Sequence, residues 1–252
     1  VTNHQKKAGT PTMGGLLIVI AIVGPTLLWA NLANPYIWIA LFGLCSFGAI
    51  GFYDDFTKVK KMRNLGLTAR KKFLLQVLCS VLIGVMLLNL HARGGYATSM
   101  NIPFFKSFKP DLLVSDWLAN PLTYPFAFVF FFLFLVVVLA GSSNAVNLTD
   151  GLDGLAIGPV MINAGVYAVL AYMTGLVIFG ESVAEYLRIP SLASASELTV
   201  FCGAILGAGF GFLWYNTYPA QVFMGDVGAL ALGGGIGMMA VLTKNELLSV
   251  LL

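Results

Sequence analysis

Residues 126–140 read FAFVFFFLFLVVVLA and contain no polar side chain. An α-helix needs about 20 predominantly apolar residues to cross the hydrocarbon core of a bilayer. With its apolar neighbours this run reaches that length, and it predicts a transmembrane helix at residues 122–141.

The rest of the chain has a similar composition. Of its 252 residues, 58% are apolar and 10% are charged, whereas soluble domains carry about 25% charged residues. A water-soluble core cannot hide this imbalance. We therefore predict an all-α, polytopic transmembrane helical bundle that forms a single integral membrane domain over residues 1–252.

Six other apolar segments are predicted to span the membrane, and residues 246–252 look like the start of an eighth span. The sequence has no initiator Met and stops within an apolar run, so we expect it to be a fragment of a longer membrane protein. The six predicted spans are 13–33, 36–53, 70–90, 155–178, 198–215 and 227–243.

The distribution of Lys and Arg predicts the direction of the spans, because cytoplasmic loops are enriched in these residues. Seven of the fourteen lie between the second and third spans. That loop and the N-terminus are therefore predicted to be cytoplasmic. Alternating spans then place five carboxylates from three loops on the cytoplasmic face: Asp54, Asp55, Asp150, Asp153 and Asp226. The other acids fall on the outer face: Asp111, Asp116, Glu181, Glu185, Glu197 and Glu246.

These five carboxylates indicate a metal site. Any one of them is explained as well by an interfacial anchor, since a carboxylate costs roughly 2.5–3.5 kcal/mol at a helix centre and less at its end. Five in charge-poor loops repel one another unless a cation neutralises them. Mg²⁺ binds one or two carboxylates together with substrate phosphate oxygens, and it is the expected ion.

The segment Asp54–Lys58 (DDFTK) joins an acidic pair to a lysine. Lys58 follows Asp54 by four residues and Asp55 by three. If the helix continues through this segment, the three side chains lie on one side of it. The arrangement suits a site for metal and phosphate, although a helix-end salt bridge would use the same spacing.

The segment Asn144–Leu155 (NAVNLTDGLDGL) is more informative. Asn147, Asp150 and Asp153 recur every three residues, so a helical turn would align them on one stripe. A glycine follows each aspartate and allows the backbone to bend or to approach a ligand closely. We interpret the segment as part of a binding site rather than a simple loop.

Two further segments carry candidate binding groups. In Asn216–Gly228 (NTYPAQVFMGDVG), Asp226 begins a span, where the helix dipole favours an anion, and Phe223, expected to be exposed, would pack on lipid or stack on a planar base. Lys7–Gly15 (KAGTPTMGG) offers amides and hydroxyls for phosphate or sugar, although its glycine pair also suits close helix packing. Small-residue packing is expected at further glycines, namely Gly203, Gly207, Gly211 and those in 233–237.

Other classes of function find little support. A net charge of +3 does not suggest nucleic acid binding. The three cysteines lie in apolar stretches and the two histidines have no paired spacing, which argues against a disulfide framework or a zinc site.

Taken in order, Lys7–Gly15, Asp54–Lys58, Asn144–Ala156 and Asn216–Gly228 resemble the motifs of the phospho-N-acetylmuramoyl-pentapeptide transferases, within the polyprenyl-phosphate sugar-1-phosphate transferases. The resemblance covers essentially the whole chain. It implies transfer of phospho-MurNAc-pentapeptide from its UDP carrier to undecaprenyl phosphate, giving lipid I and UMP in the first membrane step of peptidoglycan synthesis. It also implies Mg²⁺, a dimer, ten spans, and an active site on the cytoplasmic face of the bacterial inner membrane.

Residue roles follow from the resemblance. Asp226 is the expected Mg²⁺ ligand with Asp54 and Asp55 beside it, and the three are the expected catalytic residues. Asp54 or Asp55 would accept a proton from the lipid phosphate. Phe223 would lie against uracil. The expected substrate-binding residues are Lys7, Thr12, Lys58, Asn147, Asp150, Leu152, Asp153, Asn216 and Phe223.

The chain departs from the family pattern in two places. A His-rich motif of the family's last inner loop is absent from this sequence, and Ala229 replaces a serine after Gly225–Gly228. The nearest rival is a transferase that uses UDP-GlcNAc, although the GTPTMGG form of the first motif favours the muramoyl enzyme. A cation-coupled transporter would place its ionisable residues nearer the midplane, and a structural scaffold would leave the loop motifs unexplained.

Overall fold

A computed structural model describes residues 10–61, 66–102, 105, 108–113, 117–118, 120 and 122–250. Each segment predicted to be a span forms a helix, because backbone polar groups inside a bilayer must bond within their own segment. In chain order the helices are α1 (Gly15–Trp29), α2 (Pro35–Lys61), α3 (Ala69–Ala92), α4 (Tyr124–Thr149), α5 (Ile157–Gly175), the short α6 (Val183–Leu187), α7 (Leu198–Asn216) and α8 (Gly225–Leu242). Strands β1 (Val177–Ile178) and β2 (Glu181–Ser182) form a small antiparallel hairpin, and single 3₁₀ turns cover Ala193–Ala195 and Leu248–Val250.

Within the described residues, six helices are long and apolar enough to cross a membrane, and α1 is a shorter apolar helix. The predicted all-α, polytopic membrane fold is confirmed. Of the segment expected to begin an eighth span, residues 246–250 form a turn followed by the 3₁₀ turn, and residues 251 and 252 lie outside the described part of the chain.

The seven apolar helices alternate in direction. The backbone N–H of Val227 donates to Asp55 Oδ2 at 3.2 Å, which joins the end of α2 to the start of α8. At the other end, the Tyr36 hydroxyl donates to the Gly95 carbonyl at 3.1 Å. We call the face that carries Asp54, Asp55 and Asp226 the carboxylate end, and the face that carries Tyr36 and Gly95 the opposite end.

Helix α8 forms the core of the bundle. Every residue from Val227 to Leu242 is buried, as expected for a helix that is apolar all round. Close approach to its neighbours requires glycine on the facing helices. A Cβ atom at Gly51 of α2 would lie 2.1 Å from the Asp226 carbonyl oxygen, and one at Gly15 of α1 would lie 2.0 Å from the Gly228 nitrogen. The close helix packing expected at the glycine pair that ends the Lys7–Gly15 segment is thus observed at Gly15.

Two helices extend beyond their predicted ends. Helix α2 continues from the predicted end at residue 53 to Lys61, and α4 continues from residue 141 to Thr149. The segment with Asn144 and Asn147 is therefore part of α4, although the span was predicted to end before it. The polar side chains in these extensions find partners on neighbouring helices, which removes the cost of placing them on an otherwise apolar helix.

The packing expected at Gly203, Gly207 and Gly211 is not found within the described residues. A Cβ atom at any of the three would meet nothing within 4 Å. They line an apolar groove of about 620 Å³ between α1 and α7. The glycines of α8 do pack closely, since Cβ atoms at Gly233 and Gly234 would meet Ser142 and Phe47 at 2.5 and 2.8 Å.

A buried ionic cluster lies at the opposite end. Lys244 Nζ is 2.5 Å from the Tyr96 hydroxyl and 3.6 Å from Glu246 Oε1. Burial lowers the pKa of Lys244 to about 8 and raises the pKa of Glu246. The cluster ties the segment after α8 to the segment after α3.

Candidate catalytic centre

Three carboxylates meet at the carboxylate end. Asp54 and Asp55 lie on the helical extension of α2 and are only 3% and 8% exposed. Asp226 lies in the first turn of α8. One oxygen from each carboxylate can be chosen so that all three lie within 4.8 Å of one another. The predicted convergence of these residues is therefore observed, although they come from two helices far apart in sequence.

Lys58 lies among the three carboxylates. Its Nζ atom is 2.5 Å from Asp54 Oδ2, 3.3 Å from Asp55 Oδ1 and 3.1 Å from Asp226 Oδ2. Because α2 remains helical past Asp55, the i+3 and i+4 spacing brings the lysine to the side expected from the sequence. The position of its ammonium group marks a point where positive charge is strongly favoured.

Asp226 has partners from two more helices. Its Oδ2 atom is 3.0 Å from Lys72 Nζ on α3, and its Oδ1 atom accepts from Asn147 Nδ2 on α4 at 2.9 Å. Lys72 also donates to Asn147 Oδ1 at 3.2 Å. Helices α2, α3, α4 and α8 thus all contribute a side chain to the group around Asp226.

Backbone amides fix the orientation of the acidic pair. Asp55 Oδ2 accepts from the Val227 N–H at the start of α8, where the helix leaves its first amides unpaired. Asp54 Oδ1 accepts from the Leu67 N–H at 2.6 Å. Gly225 has a φ of +72°, and a Cβ atom there would lie 2.6 Å from Asp55 Oδ2. Glycine is therefore required where α8 begins.

Asp150 and Asp153 do not continue the stripe predicted from their spacing. Helix α4 ends at Thr149, and the chain then turns. Asp150 stays near the carboxylates: burial, followed by the negative charges of Asp226 and Asp55, raises the pKa of Asp150 to about 7. Asp153 Oδ2 instead accepts from the Ala220 N–H at 3.1 Å. The single-stripe prediction was wrong because the helix ends between Asn147 and Asp153.

Asn216 connects two loops at this end of the molecule. Its side chain is buried, accepts from the Gly154 N–H at 3.0 Å and donates to the Val222 carbonyl at 2.8 Å. These bonds hold the segment after α4 against the segment after α7. A direct role for Asn216 in substrate binding stays a prediction, and its observed contacts shape the loops.

The remaining predicted binding residues are found in varied settings. Phe223 is half-buried rather than exposed as expected, and its backbone pairs with Pro11 and Gly14 at 2.9 Å. Thr12 and Leu152 are exposed. Lys7 lies outside the described residues.

Sequence reasoning missed Lys72, which contacts Asp226, and the pairing of Gln76 with Asn144 one helical turn away. In the sequence, Lys72 was interpreted only as one of the positive residues that predict which loops are cytoplasmic. A signal was present, because Lys72, Gln76 and Ser80 recur every four residues and so share one face of a helix that is largely apolar from Phe73 to Leu88. Such a polar stripe on a membrane helix indicates a polar interior.

The charge and the ligand atoms of the centre can accommodate a cation. Three carboxylates against two ammonium groups leave a formal charge of −1 before Asp150 ionises. The available ligands are carboxylate and amide oxygens, which hard cations prefer. The ammonium group beside them can neutralise a bound phosphate. The arrangement suits chemistry on phosphate esters.

Comparison with known proteins defines the class. The family model for glycosyl transferase family 4 matches residues 37–244, and the chain belongs to this family. The phospho-N-acetylmuramoyl-pentapeptide-transferase signature 1 matches residues 7–19.

Within that class the similarity is to one kind of enzyme. The chain is 54% identical over 246 residues to a phospho-N-acetylmuramoyl-pentapeptide-transferase of Koribacter versatilis (strain Ellin345), covering 98% of this chain and 64% of the relative. The corresponding protein of Solibacter usitatus (strain Ellin6076) is 53% identical with the same coverage. That of Nitratidesulfovibrio vulgaris (strain DP4) is 52% identical, covering 98% of this chain and 63% of the relative. The chain thus spans about 64% of the length of these curated relatives, and the resemblance inferred from the four motifs is confirmed.

Proposed function

We propose that the protein transfers phospho-MurNAc-pentapeptide from UDP-MurNAc-pentapeptide to undecaprenyl phosphate, forming lipid I and UMP. The observation that carries the proposal is the meeting of Asp54, Asp55 and Asp226 around Lys58, with Lys72 beside them. The identity of about 50% to enzymes named for this activity supports the choice of substrates.

The reaction exchanges one phosphorus–oxygen bond for another. An oxygen of the lipid phosphate attacks the sugar-bearing phosphorus of the donor. The bond from that phosphorus to the bridging oxygen breaks, and UMP leaves. Both substrates bring negative charge to the same place, so the protein must supply positive charge and hold the two phosphates in line.

The residues of the centre divide this work. Lys58 and Lys72 present ammonium groups to the phosphate oxygens. Asp55 is oriented by the Val227 amide and Asp54 by the Leu67 amide, and either carboxylate can accept the proton of the attacking lipid phosphate.

Mg²⁺ would be held by Asp226 with Asp54 and Asp55, and it would neutralise phosphate charge during transfer. The fit rests on the three converging carboxylates and the all-oxygen ligand set. Lys58 would then share these carboxylates with the ion and move its ammonium group toward substrate.

We place the donor pocket on the loops around the centre. Asp150, Asp153 and Leu152 lie on the turn after α4, and Phe223 lies on the segment before α8. Thr12 lies on the segment that pairs with Phe223 through Pro11 and Gly14. Phe223 would stack on uracil, and Asn147 and Asn216 would border the nucleotide, with Lys7 completing the pocket.

The proposed location is the cytoplasmic face of the bacterial inner membrane. Positive residues are enriched in cytoplasmic loops. Among the described residues, Lys58, Lys60, Lys61, Arg70, Lys71 and Lys72 lie at the carboxylate end. Four lie at the opposite end: Arg93, Lys109, Arg188 and Lys244. A single membrane transferase domain and a homodimer are proposed on the resemblance alone.

Donor choice tests the proposal. The purified full-length protein is incubated in detergent with Mg²⁺, undecaprenyl phosphate and either UDP-MurNAc-pentapeptide or UDP-GlcNAc, and UMP release is measured. We expect release with the muramoyl donor and at least about 100-fold less with UDP-GlcNAc. Faster release with UDP-GlcNAc would assign the protein to the rival transferase, and release with neither donor would reject both.

A further inference from the structure

A second polar layer lies one helical turn deeper than the catalytic centre. Gln76 on α3 is only 1% exposed and follows Lys72 by four residues. Asn144 on α4 precedes Asn147 by three residues. Neither Gln76 nor Asn144 contacts a carboxylate of the centre through any hydrogen bond found among the described residues.

The two side chains form a reciprocal amide pair. Gln76 Nε2 donates to Asn144 Oδ1 at 3.2 Å, and Asn144 Nδ2 donates to Gln76 Oε1 at 2.8 Å. Asn144 Nδ2 also donates to the Ala140 carbonyl at 2.8 Å. Two opposed hydrogen bonds between the same two amides constrain how far one helix can move along the other, so the pair helps to align α3 with α4.

Ser143 connects the layer to the central helix. Its hydroxyl lies 3.5 Å from Gln76 Nε2 and donates to the Leu230 carbonyl at 3.3 Å. Leu230 follows Asp226 by four residues on α8. The deeper layer therefore joins the same three helices, α3, α4 and α8, as the Lys72–Asn147–Asp226 contacts above it.

The apolar surroundings make this alignment strict. An amide left unpaired in an apolar interior costs about 1–3 kcal/mol, so a shift of α3 along α4 would break two hydrogen bonds without replacement from water. Lys72 lies one turn from Gln76 on the same face of α3, and Asn147 lies one turn from Asn144 on the same face of α4. Any such shift would change the distances from Lys72 and Asn147 to Asp226.

We infer that Gln76 and Asn144 are positioning residues, which hold α3 and α4 in the register that aims Lys72 and Asn147 at Asp226. The inference deepens the function proposed above and rests on it for its link to catalysis. The catalytic groups themselves remain those that touch Asp226 or substrate.

Three variants of the full-length protein test this role: Gln76→Met, Asn144→Leu and the double variant. Each single change leaves the remaining amide without its partner on the other helix, whereas the double change removes both amides, so the melting temperature lost in the single variants should largely return in the double variant. If the pair positions the centre, kcat should stay at least tenfold below wild type in all three, and a higher Mg²⁺ concentration should be needed to stabilise the protein against heat. Ser80→Ala is the matched control, because Ser80 is equally buried on α3 but, among the described residues, its hydroxyl bonds only to the Gln76 carbonyl of its own helix.

Two results would overturn the inference: recovery of kcat together with the melting temperature in the double variant, or a wild-type kcat and Mg²⁺ midpoint in the single variants. If either single variant fails to fold, the double variant decides. Absence of UMP release from wild type and Ser80→Ala would count against the proposed transferase function instead. The Mg²⁺ midpoints, measured by thermal stability without substrate, would still decide whether the pair positions the metal ligands.

Discussion

Lys58 is the residue on which the charge balance of the centre depends most directly. Its ammonium group lies within 3.3 Å of an oxygen from each of Asp54, Asp55 and Asp226. Without a metal ion, Lys58 and Lys72 supply the positive charge that allows three carboxylates to remain close, and Lys58 contacts all three. A cation bound by the same oxygens would take over that role.

Replacing Lys58 should therefore make the protein depend on Mg²⁺ for stability. In metal-free buffer with EDTA, Lys58→Met should lose about 2 kcal/mol, the typical contribution of hydrogen bonds to a charged group. Mg²⁺ should raise the melting temperature of the variant more than that of wild type. Thermal unfolding in detergent measures both effects.

Lys60→Met is the control for this change, since Lys60 is exposed on the same helix. It should respond to Mg²⁺ as wild type does. An equal Mg²⁺ response in Lys58→Met and Lys60→Met would show that the carboxylates do not hold the ion.

Asp150 should make Mg²⁺ affinity depend on pH. Its carboxyl group, with a pKa raised to about 7 by burial and by the charges of Asp226 and Asp55, is neutral below that pH and negative above it. Mg²⁺ affinity should therefore increase as the pH rises from 6 to 8, by roughly three- to tenfold. By linkage, bound Mg²⁺ should lower the pKa of Asp150.

Asp150→Asn should flatten this pH dependence, whereas Glu185→Gln at the opposite end should leave it unchanged. Calorimetric titration of Mg²⁺ at pH 6 and pH 8 makes the comparison. A pH dependence that is identical in Asp150→Asn and wild type would assign the titration to another group.

At the residue scale, sequence reasoning succeeded where the relevant spacing was local. Lys58 could be placed beside Asp54 and Asp55 because one helix carries all three. The stripe of Lys72, Gln76 and Ser80 indicated that Lys72 faces a polar interior but did not identify its partner, since the contact with Asp226 crosses 154 residues. The partners of Asn216 were also tertiary and gave no sequence signal.

At the scale of elements, the contact between α2 and α8 determines the shape of the centre. Both helices must come close enough for Asp55 to bond the Val227 amide. Gly51 allows this approach, because any side chain there would meet the backbone of Asp226. Backbone atoms cannot move aside as a flexible side chain can.

Gly51→Ala should separate α2 from α8. We expect a loss of about 1–3 kcal/mol in stability, the usual cost of overpacking, together with weaker Mg²⁺ binding. Gly24→Ala is the matched control, because a Cβ atom at Gly24 of α1 meets nothing within 4 Å. Thermal unfolding with and without Mg²⁺ tests both; unchanged stability and Mg²⁺ response in Gly51→Ala would contradict the close contact.

The ends of α2 and α4 show why helix boundaries were harder to predict than helices. Residues 141–150 read GSSNAVNLTD, a composition that resembles a loop. The structure keeps this segment helical to Thr149 because Asn144 bonds Gln76 and Asn147 bonds Asp226. These partners lie on other helices, and no local pattern reveals them.

At the scale of the whole molecule, the alternation of seven apolar helices brings the polar residues of three distant segments to one end. Hydropathy and the positions of Lys and Arg were sufficient to predict this arrangement, because a helix that enters a bilayer must leave on the other face. Lateral packing was not predictable in the same way. Gly203, Gly207 and Gly211 have the spacing of a packing interface but line a groove, whereas the glycines of α8 are enclosed.

The most direct test is the rate of UMP release by the full-length protein from UDP-MurNAc-pentapeptide and undecaprenyl phosphate, with Mg²⁺ or with EDTA, in wild type and Asp226→Asn. If the carboxylate centre performs Mg²⁺-dependent phosphosugar transfer, wild type should release UMP only with Mg²⁺. Asp226→Asn should then be slower by about 100-fold or more. Equal release in EDTA, or a wild-type rate in Asp226→Asn, would contradict it.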